Sequence, residues 1–144
     1  MESIKRSALV PFSAEQMFSL VDDIERYPEF VPHCKGATII SRSENKVCAR
    51  LDVAKSGIAK SFATENILVP FSHIEMKLLD GPFRHLSGRW IFTPLSENAC
   101  KIELDLQFEF SNKLASMAFS GIFNQLIQSM VAAFTTRAEE VFNV

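Results

Sequence analysis

The sequence has 144 residues, which is the usual length of one domain, and 47% of them are hydrophobic while 22% are charged. This balance excludes a disordered chain and a collagen-like repeat. The net charge of −2 excludes a protein that is basic throughout, so any contact with nucleic acid requires a local group of cations. We therefore expect a single domain that spans residues 1–144.

The N-terminal part of the chain predicts one strand followed by two short helices. Residues 2–10 have the pattern of a strand. Ser13, with Gln16 three positions later, is the signature of a helix N-terminus. Prolines at positions 28 and 32 end regular structure soon after that helix begins.

The segment from Tyr27 to Pro32 has two readings. It is either a packed connection between a helix and a strand or the lid of a binding pocket, because binding residues concentrate on such connections. If Phe30 and Val31 are exposed, the segment can also insert into a membrane surface.

From about residue 35 to residue 110 the apolar positions recur at every second residue. In the last of these runs, Leu104 and Leu106 alternate with Glu103 and Asp105. Such alternation is typical of antiparallel strands that bury one face and expose the other. Turn signals divide the region into six strands, which makes seven with the first.

Residues 112–142 predict a long C-terminal helix, because they lack proline and contain only Gly121 as a weak helix former. Phe119, Phe123 and Met130 fall on one apolar stripe of this helix. A helix of about 30 residues spans roughly 45 Å and needs one long apolar partner. The inner face of the sheet is the surface available, so we expect an α+β fold in which a curved seven-stranded antiparallel sheet grips the helix.

A curved sheet and a straight helix diverge away from their line of contact, so we expect an apolar gap between them. Either side chains fill this gap or an apolar ligand does, and we predict an apolar cavity there. Tyr27 and Trp90 can each donate a hydrogen bond to a polar atom of such a ligand. The predicted pocket residues are Phe12, Tyr27, Phe30, Trp90, Phe92, Phe108, Phe119, Phe123, Met130 and Phe134. Phe18 is a further inward-facing candidate.

Between residues 35 and 60 the chain carries six cations and only two acids, Glu44 and Asp52. Because strands two to four are adjacent hairpins, we expect these cations to gather on one surface. Such a surface suits the phosphates of RNA or anionic lipid headgroups, although charges on a strand face usually contact only water. The predicted basic surface consists of Lys35, Arg42, Lys46, Arg50, Lys55 and Lys60.

No pattern of catalytic or metal-binding residues is evident. His33, His73 and His85 lie in or beside predicted turns and lack an acidic partner at a recognisable spacing. We therefore expect no catalytic residue, no metal and no required cofactor. The three cysteines form no CxxC pair and are expected to be buried thiols; they are Cys34, Cys48 and Cys100.

Four segments of the chain have the composition and order of a known family. They are Tyr27–Cys34, Lys55–Phe62, Asp80–Phe83 and Trp90–Leu95. Together with Phe108–Leu114, they resemble the bacterial RatA proteins and the mitochondrial coenzyme Q-binding proteins of the START-like, polyketide cyclase-like superfamily. The likeness extends over nearly the whole chain. It implies the helix-grip fold, in which a strand, two short helices and six strands precede a long C-terminal helix.

The resemblance implies two functions. One is non-enzymatic binding of a ubiquinone-type isoprenoid quinone or another lipid in the internal pocket, in support of respiration. This function implies a cavity large enough for a quinone, with Tyr27 and Trp90 as candidate hydrogen-bond donors to a quinone carbonyl and a bound isoprenoid quinone as an optional occupant. The alternative is a RatA-type toxin, which binds the large ribosomal subunit and blocks its association with the small one. A polyketide cyclase-like enzyme is a third and weaker alternative. The N-terminus lacks a signal-peptide core, so we expect a cytoplasmic protein, with peripheral contact at the inner membrane as a further option.

Overall fold

The computed structural model describes residues 1–142 and consists of a curved seven-stranded antiparallel sheet that holds one long helix. This architecture confirms the predicted fold class. The elements in chain order are β1 (Glu2–Val10), α1 (Ala14–Asp22), a 3₁₀ helix (Ile24–Glu29), β2 (Cys34–Arg42), β3 (Lys46–Lys55), β4 (Ile58–Val69), β5 (His73–Asp80), β6 (Phe83–Ser96), β7 (Ala99–Phe110) and α2 (Lys113–Phe142).

The sheet has the strand order β1-β7-β6-β5-β4-β3-β2. Strands β2 to β7 therefore pair with their neighbours in the chain, while β1 returns to pair with β7, where Ile4 lies opposite Leu106. The register shifts through an extra residue within β2, β5 and β6. Each such irregularity bends its strand and increases the local twist, which curves the sheet toward the helix.

A capping box starts α1, as the spacing of Ser13 and Gln16 predicts. The backbone N–H of Gln16 donates to Ser13 Oγ at 3.1 Å, and the backbone N–H of Ser13 donates to Gln16 Oε1 at 3.0 Å. Both donors lack a partner within the helix, so the box satisfies two groups at once. The 3₁₀ helix that follows contains Pro28 and brings the chain back to the edge of the sheet.

The long helix α2 lies along the concave face of the sheet. Asn112 caps it, since Asn112 Oδ1 accepts a hydrogen bond from the backbone N–H of Ala115 at 2.7 Å. By length and composition α2 could also cross a membrane, but here its buried apolar face packs against the sheet while Leu114, Met117 and Val141 are exposed. Its buried residues are Phe119, Ile122, Phe123, Leu126, Ile127, Met130, Val131, Phe134 and Ala138.

A phenylalanine cluster fills the space between the first turns of α2 and the sheet. Neighbouring ring centroids in this cluster are 4.8 to 6.5 Å apart, mostly in edge-to-face contact. Aromatic pairs favour this arrangement because the positive ring edge meets the negative ring face. The cluster consists of Phe83, Phe108, Phe110, Phe119 and Phe123.

The cysteines are free thiols, and two of the three follow the prediction. Cys34 and Cys100 are buried, and burial raises the pKa of each thiol to about 11. Cys48 is only half-buried, because it alternates with the buried Val47 and Ala49 and so lies on the outer face of β3. The prediction that Cys48 is buried is wrong for that reason.

Candidate functional site

A cavity of about 60 Å³ lies between the concave face of the sheet and α2. Its wall is almost entirely apolar, and the exceptions are Thr64 and Asn66 on β4. The helices contribute Ile24, Tyr27, Phe123, Ile127 and Met130, and the sheet contributes Ala49, Leu51, Phe62, Thr64, Asn66, Met76, Leu86, Trp90, Leu104 and Leu106.

The size of this cavity differs from the prediction. A single water needs about 10–15 Å³, so the space holds a few water molecules, whereas small-molecule pockets measure about 300–1,000 Å³. The expectation of a quinone-sized cavity is wrong for this conformation, although the predicted position between helix and sheet is right. The reason is that Trp90, Phe123 and Met130 occupy most of the gap with their own side chains.

Four of the ten predicted pocket residues line the cavity, namely Tyr27, Trp90, Phe123 and Met130. The other six pack elsewhere and do not line it. Phe12 contacts Phe142, Phe92 lies between Phe18 and Trp90, Phe108 and Phe119 belong to the phenylalanine cluster, and Phe30 and Phe134 contact each other beside Tyr27.

The hydroxyl of Tyr27 is not free to bind a ligand. It donates a hydrogen bond to the backbone carbonyl of Val21, and burial raises the pKa of the phenol. The ring of Tyr27 lines the cavity while its polar end holds α1 in place. The expectation that Tyr27 donates to a quinone carbonyl is therefore wrong in this structure.

Asn66 is the polar cavity residue that the sequence analysis missed. It is 7% exposed and is the one buried polar residue among residues 1–142. Its position in the sequence could have revealed it. Phe62, Asn66 and Leu68 stand at alternate positions of β4, so their side chains lie on the same, inner face of the sheet. Thr64 Oγ1, on the same face, donates to Asn66 Oδ1 at 2.8 Å.

The segment from Tyr27 to Pro32 is a packed connection. Tyr27 and Val31 are buried, and the half-buried Phe30 ring lies against Phe134. Arg137 on α2 closes this region from outside. Its guanidinium is 5.0 Å from the Phe30 ring centroid, and its Nη2 is 2.7 Å from Glu29 Oε1.

The predicted basic surface is divided between both faces of the sheet. On the outer face, Lys46 pairs with Glu65 at 3.6 Å and Arg50 pairs with Asp52 at 3.3 Å. On the inner side, Arg42 Nη1 is 3.1 Å from Asp22 Oδ2. The expectation that all six cations share one surface is wrong, because successive side chains of a strand lie on opposite faces of the sheet and carboxylates meet half of the cations.

The other three of the six predicted cations are lysines near the turn of the β3–β4 hairpin. Lys35 and Lys55 line the same shallow depression around Ser56, and Lys60 lies opposite Val53 on β4. Within residues 1–142, none of these three lysines lies within ion-pair distance of a carboxylate. Lys55 Nζ donates instead to Gln125 Oε1 on α2 at 2.7 Å. We call Lys35, Lys55 and Lys60 the hairpin lysines.

The histidines lie away from the cavity. His33 occupies the turn before β2 with a positive φ of 67°, His73 begins β5, and His85 lies on β6 with its Nε2 2.8 Å from Ser87 Oγ. None of the three is among the residues that line the cavity. Among residues 1–142, no group of three His, Cys, Asp or Glu side chains is placed to hold a metal ion.

The fold and the apolar cavity place the chain in a known class. The family described as polyketide cyclase / dehydrase and lipid transport matches residues 10–135, and the chain belongs to that family. Within this START-like class the chain belongs with the RatA proteins. It is 55% identical to the protein named ribosome association toxin RatA of Vibrio cholerae, over 99% of both chains.

A more distant relative carries a different name. The chain is 30% identical to the mitochondrial coenzyme Q-binding protein COQ10 homolog B of Xenopus laevis, over 94% of this chain and 57% of that protein. The two names describe a ribosome-associated toxin and a quinone-binding protein. These are the two groups of proteins that the sequence resembles, the RatA proteins and the coenzyme Q-binding proteins.

Solved structures share the fold at low sequence identity. The Zhui aromatase/cyclase from Streptomyces sp. R1128 superposes with a TM-score of 0.84 at 17% identity, covering 96% of this chain and 93% of that one. A START superfamily protein from Mycobacterium smegmatis gives a TM-score of 0.79 at 24% identity, covering 96% and 98%. These likenesses concern the architecture, and one of the two structures is an enzyme.

Proposed function

We propose that this protein associates with the ribosome as a RatA-type toxin and binds the large subunit. The observation that carries this proposal is the 55% identity over 99% of both chains to a protein named for ribosome association. A relative named for coenzyme Q binding is only 30% identical, so the ribosomal function takes precedence over the quinone function.

The hairpin lysines are the surface that we assign to the ribosome. Ribosomal RNA presents phosphates, and cations that lack a carboxylate partner can neutralise them without first breaking an ion pair. Lys35, Lys55 and Lys60 meet that condition among residues 1–142, whereas Arg42, Lys46 and Arg50 do not. Each neutralised phosphate releases counterions, so binding should weaken steeply as the salt concentration rises.

The test is co-sedimentation of the purified protein with isolated large subunits at several salt concentrations. The variant Lys35→Gln/Lys55→Gln/Lys60→Gln should bind more weakly, and the slope of log affinity against log salt should fall by about 2–3. The matched control removes the same charge from lysines that already pair with acids, through Lys46→Gln/Lys77→Gln/Lys101→Gln. The control should keep the wild-type slope.

Two results would contradict the proposal at different levels. If the wild-type protein does not sediment with large subunits at any salt concentration, the ribosomal function is wrong. If it does sediment but both triple variants lose the same affinity, the ribosomal function stands and the assigned surface is wrong.

We propose apolar-ligand binding as a second function, supported by the cavity between sheet and helix. The occupant would be an isoprenoid quinone or another lipid. Binding requires Phe123 and Met130 to move, because the cavity of about 60 Å³ is smaller than any such ligand. Mass spectrometry of an organic extract of the purified protein tests this function. A co-purified lipid supports it, and the absence of both a lipid and any binding of added quinone overturns it.

A further inference from the structure

We infer that Asn66 is the residue that selects the ligand of the cavity, by donating a hydrogen bond to an acceptor oxygen on an otherwise apolar molecule. This inference rests on the second proposed function, apolar-ligand binding. It names the chemistry that such a ligand must carry: a carbonyl oxygen on a flat, apolar body.

The position of Asn66 is unusual for its residue type. Asparagine is mostly exposed in proteins, yet Asn66 is 7% exposed and its neighbours on the inner face, Phe62 and Leu68, are apolar. Burying an amide is unfavourable unless its polar atoms find partners. A leucine would fill the same space without that cost, so packing alone gives no reason for an asparagine here.

Only the oxygen of the Asn66 side-chain amide has a hydrogen-bond partner in the part of the protein that the structure describes. Thr64 Oγ1 donates to Oδ1, which fixes the orientation of the amide group. Within residues 1–142, the side-chain nitrogen of Asn66 donates no hydrogen bond to another residue. Every fully buried side-chain nitrogen and oxygen in that range has a hydrogen-bond partner, so the unpaired Asn66 nitrogen is not fully buried. The nitrogen therefore remains accessible from the cavity that Asn66 lines.

The surroundings define what such a donor can bind. Trp90, Phe123 and Leu106 line the same cavity and offer flat apolar walls, while Thr64 is already committed to the amide oxygen. A fixed amide NH₂ group in apolar surroundings favours a ligand that carries a hydrogen-bond acceptor and disfavours a purely apolar ligand, which leaves the donor unpaired. The structure thus assigns the specificity of the cavity to Asn66.

The experiment compares two probes of nearly the same shape. Duroquinone carries two ring carbonyls and four methyl groups, and durene carries the four methyl groups on a ring without oxygen. Calorimetric titration should show that the wild-type protein binds duroquinone at least about 10-fold more tightly than durene. In the NMR spectrum, duroquinone should shift the side-chain amide signals of Asn66 and durene should leave them near their original positions.

The variant Asn66→Leu should lose the preference for duroquinone and keep or gain affinity for durene. Asn124→Leu is the matched control, because Asn124 is a half-buried asparagine on α2 that does not line the cavity and donates to Ser120. It should keep the wild-type preference. Thr64→Val, which removes the group that orients the amide, should reduce the preference even if Asn66→Leu fails to fold.

The outcomes separate this inference from the function on which it rests. If the wild-type protein binds neither probe, apolar-ligand binding at this cavity is wrong and the inference falls with it. If the wild-type protein binds both probes equally, or if Asn66→Leu and Thr64→Val keep the preference for duroquinone, the ligand function stands and the role of Asn66 is wrong.

Discussion

The interface between α2 and the sheet has two regions that differ in how completely they are packed. At the start of α2, the phenylalanine cluster fills the space with rings whose centroids lie 4.8 to 6.5 Å apart. Further along the helix, around Met130 and Trp90, the same interface contains the cavity and the polar pair Thr64 and Asn66. The helix is therefore tightly packed near its start and leaves room near its middle.

The difference follows from the residues that the sheet presents to the helix. The cluster is built from large rings on β6, β7 and α2, and rings in edge contact leave little empty space. The cavity wall includes Ala49, Thr64 and Asn66, whose side chains are smaller than a phenylalanine ring and fill less of the space. Stability should thus concentrate in the cluster, and adaptability should concentrate at the cavity.

The largest expected effect comes from removing a ring of the cluster. Phe119 is fully buried and contacts Phe83, Phe110 and Phe123. Phe119→Ala should lower the free energy of unfolding by about 3–5 kcal/mol, measured by urea denaturation. Leu114→Ala, at a position that is 76% exposed on the same helix, is the control and should change it by less than about 0.5 kcal/mol. A small loss for Phe119→Ala would mean that the cluster does not anchor the fold.

A smaller loss is expected at the cavity. Met130 borders empty space on one side, so it has fewer contacts to lose than Phe119. Met130→Ala should lower the free energy of unfolding by about 2–3 kcal/mol and should increase the affinity for durene, because the enlarged cavity admits the ring more easily. A loss as large as that of Phe119→Ala, without any gain in durene binding, would remove the distinction between the two regions.

The smallest effect is expected from alkaline pH. Burial raises the pKa of Cys34 and Cys100 to about 11 and also raises the pKa of Tyr27 at the cavity. Because these groups bind protons more tightly in the folded state, their contribution to stability is complete below the pKa of the unfolded groups and is lost as the pH rises through the folded values. The free energy of unfolding should fall by about 1 kcal/mol between about pH 7.5 and 9, and more steeply above that.

Thiol variants sharpen this third measurement. Cys34→Ala and Cys100→Ala should each flatten the pH dependence by a similar amount, since both thiols are buried and have the same raised pKa. Cys48→Ala, at a half-buried position on the outer face of β3, is the comparison variant for the loss of a thiol outside the core. A flat curve for the wild-type protein would show that the buried thiols and the phenol do not stay protonated in the folded state.

The sequence was informative where a single periodic pattern decides the structure. Alternation along β7 and the spacing of Ser13 and Gln16 depend on neighbours within one element, and both predictions are confirmed. The size of the cavity depends on how side chains from seven elements meet, and no local pattern contains that information. The role of Asn66 as a cavity residue was missed because it depends on the side chains that meet at the inner face of β4, and the residues next to it in the sequence do not show this.

The prediction of a single basic surface was wrong for a related reason. A count of cations along the chain ignores which side of the sheet each one occupies and which acid lies across from it. Glu65 on β4 neutralises both Lys46 and Lys77, and Asp22 on α1 holds Arg42. Such partners are far apart in sequence and become neighbours only through the register of the strands.

The pairing of β1 with β7 has a consequence for the synthesis of this protein. Glu2 lies opposite Phe108, so the first strand to leave the ribosome has no place in the sheet until the last strand has been made. The apolar concave face then stays uncovered until α2 follows. Long-range pairing of this kind slows folding, because the loop must close before its contacts form. The nascent chain must therefore remain open, with its apolar face accessible to chaperones, until β7 and α2 have been synthesised.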